Sequence, residues 1–100
     1  MTSSGESARD PRDELMDCRN AIEVVDRRIV ALIAQRVALG VRAAAAKQAA
    51  GLPIRDRARE GEVLRAVLVA AEEEGLPAKP LRKIFEHVID VSRRAQEDAQ

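Results

Sequence analysis

The fold is decided by residues 11–53, PRDELMDCRNAIEVVDRRIVALIAQRVALGVRAAAAKQAAGLP. Proline is favoured in the first turn of a helix, so Pro11 can begin one with Asp10 as its N-cap. Gly51-Leu52-Pro53 is a typical sequence for a helix end. Between them the spacing of a heptad repeat runs unbroken, in alternating steps of three and four residues that place one side of a helix against a partner. Its positions are Leu15, Cys18, Ile22, Val25, Ile29, Leu32, Arg36, Leu39, Ala43, Ala46 and Ala50.

A helix of nearly forty residues would be about 55–60 Å long at about 1.5 Å per residue. A compact chain of this size has a radius of gyration of only about 13 Å. We therefore expect the first helix to project from its own core and to be covered by a second copy of the chain.

Two shorter helices are predicted after it, from about Arg57 to Glu74 and from Lys79 or Pro80 to Glu97, each with an apolar stripe. A second stop, Gly75-Leu76-Pro77, separates them. No segment has the pattern of a strand. The predicted fold is all-α, with three helices per chain, one of them very long, in an intertwined helical homodimer. Residues 1–10 are expected to be a disordered tail and residues 11–100 to be the helical domain.

Composition excludes several classes of function. The 17 basic and 17 acidic residues balance, which argues against a nucleic-acid or membrane-surface binder. Phe85 is the one aromatic residue, too few for a base-stacking platform. Cys18 and His87 are single and give no recognisable zinc set, and a lone cysteine fits a reducing cytoplasm. The apolar runs are short and carry charges, so we expect no segment to span a membrane.

Three polar residues lie where the helices should be apolar: Arg36 on the heptad seam, and Ser92 and Gln96 on the stripe of the third helix. A buried charge without a partner is costly, so Arg36 should face an anionic group. Lys47 lies on the same helix face, three turns and about 16 Å further on. The two cations could bracket a small dianion.

Arg19 precedes Arg36 by about 25 Å along the helix and points about 100° away from it. It cannot reach the same pocket within one chain. In an antiparallel dimer built on the first helix, Arg19 of one copy can approach Arg36 of the other. Two guanidinium groups suit a substrate with two carboxylates, since each fork matches a carboxylate.

Each residue also has a purely structural interpretation. Arg36 could pair with a glutamate and fix the register of a coiled coil. Arg19 and Lys47 could be solvated helix residues, and the charged run Asp56 to Glu60 could be an exposed first turn. Ser92 and Gln96 could be the polar edge of the third helix.

The chain resembles the all-helical class of chorismate mutases from about Leu15 to Gln96. The resemblance rests on segments that occur in the family's order and at its spacing, with no gap needed. They are Cys18–Ile22 with Val25-Asp26, Leu32–Arg36, Ala46-Lys47, Pro53–Glu60, Phe85 and Ser92–Gln96. It implies a Claisen rearrangement of chorismate to prephenate, which uses no cofactor, no metal and no acid, base or covalent step.

The resemblance also implies residue roles. Arg36, with Arg19 of a second copy, would hold the two substrate carboxylates. Lys47 and Gln96 would donate hydrogen bonds to the ether oxygen, which gains negative charge as its bond breaks. Gln96 is uncharged and can donate at neutral pH, whereas an acid there would need its proton.

The remaining roles concern the ring and the outer shell of the pocket. Glu60 and the backbone at Asp56 would bind the ring hydroxyl. Arg59 and Ser92 would complete the carboxylate and hydroxyl contacts.

We expect a monofunctional, cytoplasmic chorismate mutase that serves Phe and Tyr synthesis, and feedback control would then require an activating partner enzyme. One alternative is a 4-amino-4-deoxychorismate mutase of an antibiotic pathway, for which Asp56 and Glu60 would decide the substrate. Further alternatives are an isochorismate-pyruvate lyase and a catalytically silent helical dimer.

Overall fold

The structure, a computed structural model, describes residues 9–99. Within that range it contains three helices, α1 (Pro11–Ala49), α2 (Arg57–Glu73) and α3 (Ala78–Asp98), and no strand. The all-helical prediction is confirmed, and each predicted boundary lies close to the observed one. Residues 1–8 of the predicted tail lie outside the described range.

The start of α1 follows from its first residues. The Asp10 carboxylate accepts a hydrogen bond from the Arg12 backbone N–H at 2.9 Å. The Asp10 carbonyl accepts from the N–H groups of Asp13 and Glu14, at 3.0 and 3.1 Å. These bonds satisfy N–H groups that have no partner within the helix, and the acidic residues of the first turn suit the positive end of the helix dipole.

Both Gly-Leu-Pro sequences form the same helix end. Gly51 and Gly75 adopt left-handed backbone angles, with φ of 73° and 70°. The next residue, Leu52 or Leu76, returns its N–H to a carbonyl of the last helical turn at 2.8 Å. This is the Schellman arrangement, in which the proline that follows prevents the helix from resuming.

The chain divides into two compact units, Met1–Leu32 and Ile33–Gln100. The first unit contains the amino-terminal part of α1. All of its described residues, 9–32, are exposed. Its heptad side chains are about half accessible to solvent, including Leu15 at 49%, Ile22 at 57% and Leu32 at 58%. A large apolar surface is therefore uncovered in the single chain.

The second unit contains the remainder of α1 together with α2 and α3. Its buried apolar residues are Ala44, Ala71 and Val88, one from each helix. Ser92, one turn after Val88, is the buried polar residue, at 3% exposure.

One helix of the described residues, α1, is long and apolar enough to cross a membrane by length and composition alone. The apolar stretch of α1 is thus longer than the sequence indicated, while the expectation that no segment spans a membrane stays a prediction. Only 6% of the most apolar window of α1 is buried. One such helix near an N-terminus is a weak indication, since the helices of soluble proteins also pass the test. The absence of a membrane partner stays a prediction.

The left-handed conformation of Gly75 generates a stability prediction. We expect Gly75→Ala to lower the free energy of unfolding by about 1–2 kcal/mol, because a Cβ clashes with the backbone in this region. The matched control is Gly61→Ala inside α2, where alanine is the better helix former and should raise that free energy by up to about 1 kcal/mol. Urea denaturation followed by circular dichroism measures both. An unchanged Gly75→Ala midpoint would contradict the assignment.

Candidate active site

A cavity of about 500 Å³ lies in the second unit, between the three helices and the loop that joins α1 to α2. Seven of the eight predicted site residues line it: Arg36, Lys47, Asp56, Arg59, Glu60, Ser92 and Gln96. The eighth, Arg19, belongs to the first unit, where it is exposed. The structure thus brings together seven side chains that are up to sixty residues apart in sequence.

Arg36 reaches across from α1 to α3. Its Nη1 donates a hydrogen bond to the Ser92 hydroxyl at 2.9 Å. Ser92 is held there because it follows the buried Val88 by one helical turn and so shares its inward face. The contact fixes one end of the guanidinium group, but a hydroxyl is neutral and leaves the positive charge uncompensated.

Lys47 is held in a similar way by the loop. It lies in the last turn of α1, and its backbone carbonyl accepts the Leu52 N–H at 2.8 Å in the Schellman turn. Its Nζ donates to the Ile54 carbonyl at 3.1 Å. The helix stop therefore turns the loop back toward the lysine side chain, and that partner is neutral as well.

Within residues 9–99, no carboxylate lies within 4.0 Å of the Arg36 or Lys47 nitrogens. The interpretation of Arg36 as a register-fixing ion pair with a glutamate is therefore not supported by this chain. Both side chains are half-buried. Two cations that are partly removed from water and bonded only to neutral oxygens form a ready site for an anion.

The other cations of the cavity wall have carboxylate partners. These pairs are Arg55 with Glu60 at 3.4 Å, Arg59 with Glu62 at 3.2 Å, and Arg93 with both Asp90 and Glu97. In all, five basic and three acidic side chains line the cavity, so it carries an excess of positive charge. That excess resides on Arg36 and Lys47.

Asp56 caps α2 and thereby sets the positions that follow it. Its Oδ1 accepts the Arg59 backbone N–H at 3.0 Å. Arg59 and Glu60 then stand on the first turn of the helix. Glu60 is half-buried, whereas the Arg59 side chain is 65% exposed and pairs outward with Glu62. The exposed-turn interpretation thus describes Arg59 in this structure, while Glu60 faces the cavity.

Gln96 lies one turn after Ser92, against α1. Its Nε2 is so close to Gly40 that a Cβ added at residue 40 would be 2.9 Å away. The carboxamide therefore packs on bare helix backbone at the cavity wall. Gln96 thus adds a neutral donor to the cavity that Arg36 and Lys47 also line.

Nine further residues line the cavity that the sequence did not indicate as site residues, and Gly40, Arg55 and Arg93 are the ones that bear on its chemistry. Arg55 stands within the segment Pro53–Glu60, but nothing in the pattern shows that it pairs with Glu60. Arg93 directly follows Ser92 and lies off the apolar stripe. Gly40 is part of the apolar face of α1, and only the approach of α3 reveals its role.

The chemistry available to this set is binding and charge stabilisation. Arg36 and Lys47 can hold a small dianion, and Gln96 can donate to an oxygen that gains negative charge. The described residues include no group of three or more His, Cys, Asp or Glu side chains that could hold a metal ion. Cys18 and His87 are exposed and do not line the cavity.

Comparison with known proteins shows the family of the chain. Residues 18–97 match the family described as chorismate mutase type II. A bifunctional chorismate mutase/prephenate dehydratase of Enterobacter agglomerans is 34% identical over 87 residues, which cover 87% of this chain and 22% of the relative. A protein of the same description from Buchnera aphidicola is 28% identical over 81 residues, covering 81% and 22%. The chain thus spans about a fifth of the length of these relatives.

Proposed function

We propose that this chain, which belongs to the chorismate mutase type II family of isomerases, rearranges chorismate to prephenate in the cavity of its second unit. One observation carries the proposal: Arg36 and Lys47 are half-buried cations without a carboxylate partner among residues 9–99. Chorismate is a small dicarboxylate, and it supplies the missing negative charge.

Arg36 binds one substrate carboxylate. The hydrogen bond to Ser92 uses Nη1 and leaves other N–H groups of the guanidinium fork free to donate. The same bond fixes the plane of the group before substrate arrives. A pre-positioned fork costs less ordering on binding and selects one orientation of the carboxylate.

Lys47 and Gln96 act on the ether oxygen. As the carbon–oxygen bond breaks, that oxygen gains negative charge, and donors already in place stabilise the transition state more than the ground state. Lys47 exchanges its contact with the neutral Ile54 carbonyl for this oxygen. By holding both ends of the molecule, the site also selects the chair-like conformer in which the reacting carbons meet.

Glu60 binds the ring hydroxyl, together with the backbone at Asp56. The Arg55 guanidinium, 3.4 Å from the Glu60 carboxylate, orients it. Arg59 and Ser92 complete the polar shell. For Arg59 this requires its side chain to leave Glu62 and turn inward, a small rearrangement for an exposed ion pair.

A second copy of the chain completes the pocket with Arg19. The first unit supports this proposal because its heptad side chains are uncovered over residues 9–32. Pairing two first helices would bury that surface, which is the dominant favourable contribution to association. The homodimer then supplies a guanidinium group for the second carboxylate.

We further propose that the mutase activity needs no dehydratase domain. The family match ends at residue 97, and every cavity residue lies between 36 and 97. The relatives are described as bifunctional chorismate mutase/prephenate dehydratases, and we propose that an activating partner enzyme controls the mutase activity of this chain.

The direct test is turnover. Purified protein mixed with chorismate should consume it, seen as loss of its absorbance, and form prephenate. The kcat/KM for chorismate should exceed that for 4-amino-4-deoxychorismate, because Glu60 is predicted to hold a hydroxyl at C4. The reverse preference would favour the 4-amino mutase, release of pyruvate from isochorismate would favour the lyase, and no turnover would favour the silent dimer.

The unpaired cations should be essential. We expect Arg36→Ala and Lys47→Ala each to lower kcat/KM at least about 100-fold, since each removes a donor to developing or fixed negative charge. The matched control is Arg42→Ala, an exposed cation of the same helix that does not line the cavity. Circular dichroism should show full helix content in all three. Near-normal turnover of Arg36→Ala or Lys47→Ala would count against the site.

The trans placement of Arg19 has its own test. Arg19→Ala and Arg36→Ala should each be nearly inactive, yet regain activity when refolded together, because random pairing restores about one pocket in four. Arg19→Ala refolded with the Arg19→Ala/Arg36→Ala double variant is the control and should stay inactive. If mixed dimers form without recovery, Arg19 does not act across the interface.

A further inference from the structure

We propose that Gly40 is a positioning residue for Gln96: its missing side chain leaves room for the carboxamide Nε2 to lie against α1 at the cavity wall. The catalytic consequence rests on the proposed function, in which Gln96 contacts the ether oxygen. The geometric part stands on the structure alone.

The approach at Gly40 is unusually close. A Cβ built there would be 2.9 Å from Gln96 Nε2 and 3.9 Å from Gln96 Cδ. It would be 3.7 Å from Ser92 Cβ, which is an ordinary contact distance. A side chain at residue 40 therefore collides with the end of Gln96 and with nothing rigid. The fold accommodates it, but the carboxamide has to move.

Backbone conformation does not explain this glycine. Gly51 and Gly75 have positive φ, whereas Gly40 lies within α1 and is not among the positive-φ glycines. It is also the one glycine of a helix rich in alanine, where glycine is among the poorest helix formers. The close approach of Gln96 is the feature of the structure that a Cβ at residue 40 would disturb.

The expected consequence is specific to the transition state. When Nε2 is displaced from this position, its proposed hydrogen bond to the oxygen that gains charge is weakened or lost. The carboxylate contacts of Arg36 are untouched. A loss of this kind lowers kcat and leaves KM nearly unchanged.

The experiment compares Gly40→Ala with Gly61→Ala, both helical glycines replaced by the same residue. Gly61 is the control because its added Cβ would meet only the Arg65 side-chain end at 3.4 Å, and Gly61 does not line the cavity. We expect both variants to keep or raise the urea midpoint. Gly40→Ala should lower kcat at least about tenfold with KM within about twofold, and Gly61→Ala should change neither.

A double-variant cycle tests whether Gly40 acts through Gln96. In a Gln96→Ala background, Gly40→Ala should cause no further loss of kcat, because the group it displaces is gone. An equal loss in that background, a normal kcat in the single variant, or a lowered urea midpoint would overturn the proposal.

An NMR measurement that does not depend on chorismate turnover tests the positioning role of Gly40 separately from the proposed function. The side-chain amide resonances of Gln96, identified by their disappearance in Gln96→Ala, should shift in Gly40→Ala and stay in place in Gly61→Ala. Unshifted resonances in Gly40→Ala would refute the positioning role even in an active enzyme. A wild-type protein without chorismate turnover would refute the proposed function, and the resonance shift would still decide the placement of Gln96.

Discussion

Two positive charges at the cavity wall, on Arg36 and Lys47, have only neutral oxygens as partners within residues 9–99. Half-burial removes part of their hydration, and the protein replaces it with one hydroxyl and one carbonyl. An arrangement of that kind is unfavourable in an empty protein and becomes favourable when an anion enters. This imbalance of charge favours a small dianion, whereas the choice of chorismate and the role of Arg19 rest on the family.

The helices hold these charges in place through ordinary local rules. Arg36 and Lys47 share a face because eleven residues make almost a whole number of turns. The Schellman turn at Gly51 brings the loop back over Lys47, so that the Ile54 carbonyl can restrain it. Along α3, Val88 anchors the helix in the core and fixes the inward direction of Ser92 and Gln96. Stability and site geometry thus depend on the same register.

The helix bounds and several site residues could be predicted from the sequence because they depend on residues that are near one another in the chain. Heptad spacing, the Asp10 and Asp56 caps and the two Gly-Leu-Pro stops determine the helix bounds. Arg36, Ser92 and Gln96 stand out because they interrupt apolar stripes. Contacts between helices were not readable: the Gly40–Gln96 approach and the Arg36–Ser92 hydrogen bond depend on how α1 and α3 meet. The apolar runs also looked short in the sequence, whereas α1 holds a stretch that meets the length and composition criterion for a membrane span.

A crystal structure with bound prephenate, or with a stable dicarboxylate that mimics the transition state, tests the central claim most directly. The account predicts the ligand in the cavity of the second unit, one carboxylate on Arg36 and the other on Arg19 of a second copy, with Lys47 and Gln96 at the ether-oxygen position. A ligand bound outside this cavity would contradict it. So would a cavity in which a protein carboxylate pairs with Arg36 and no second chain contributes a residue.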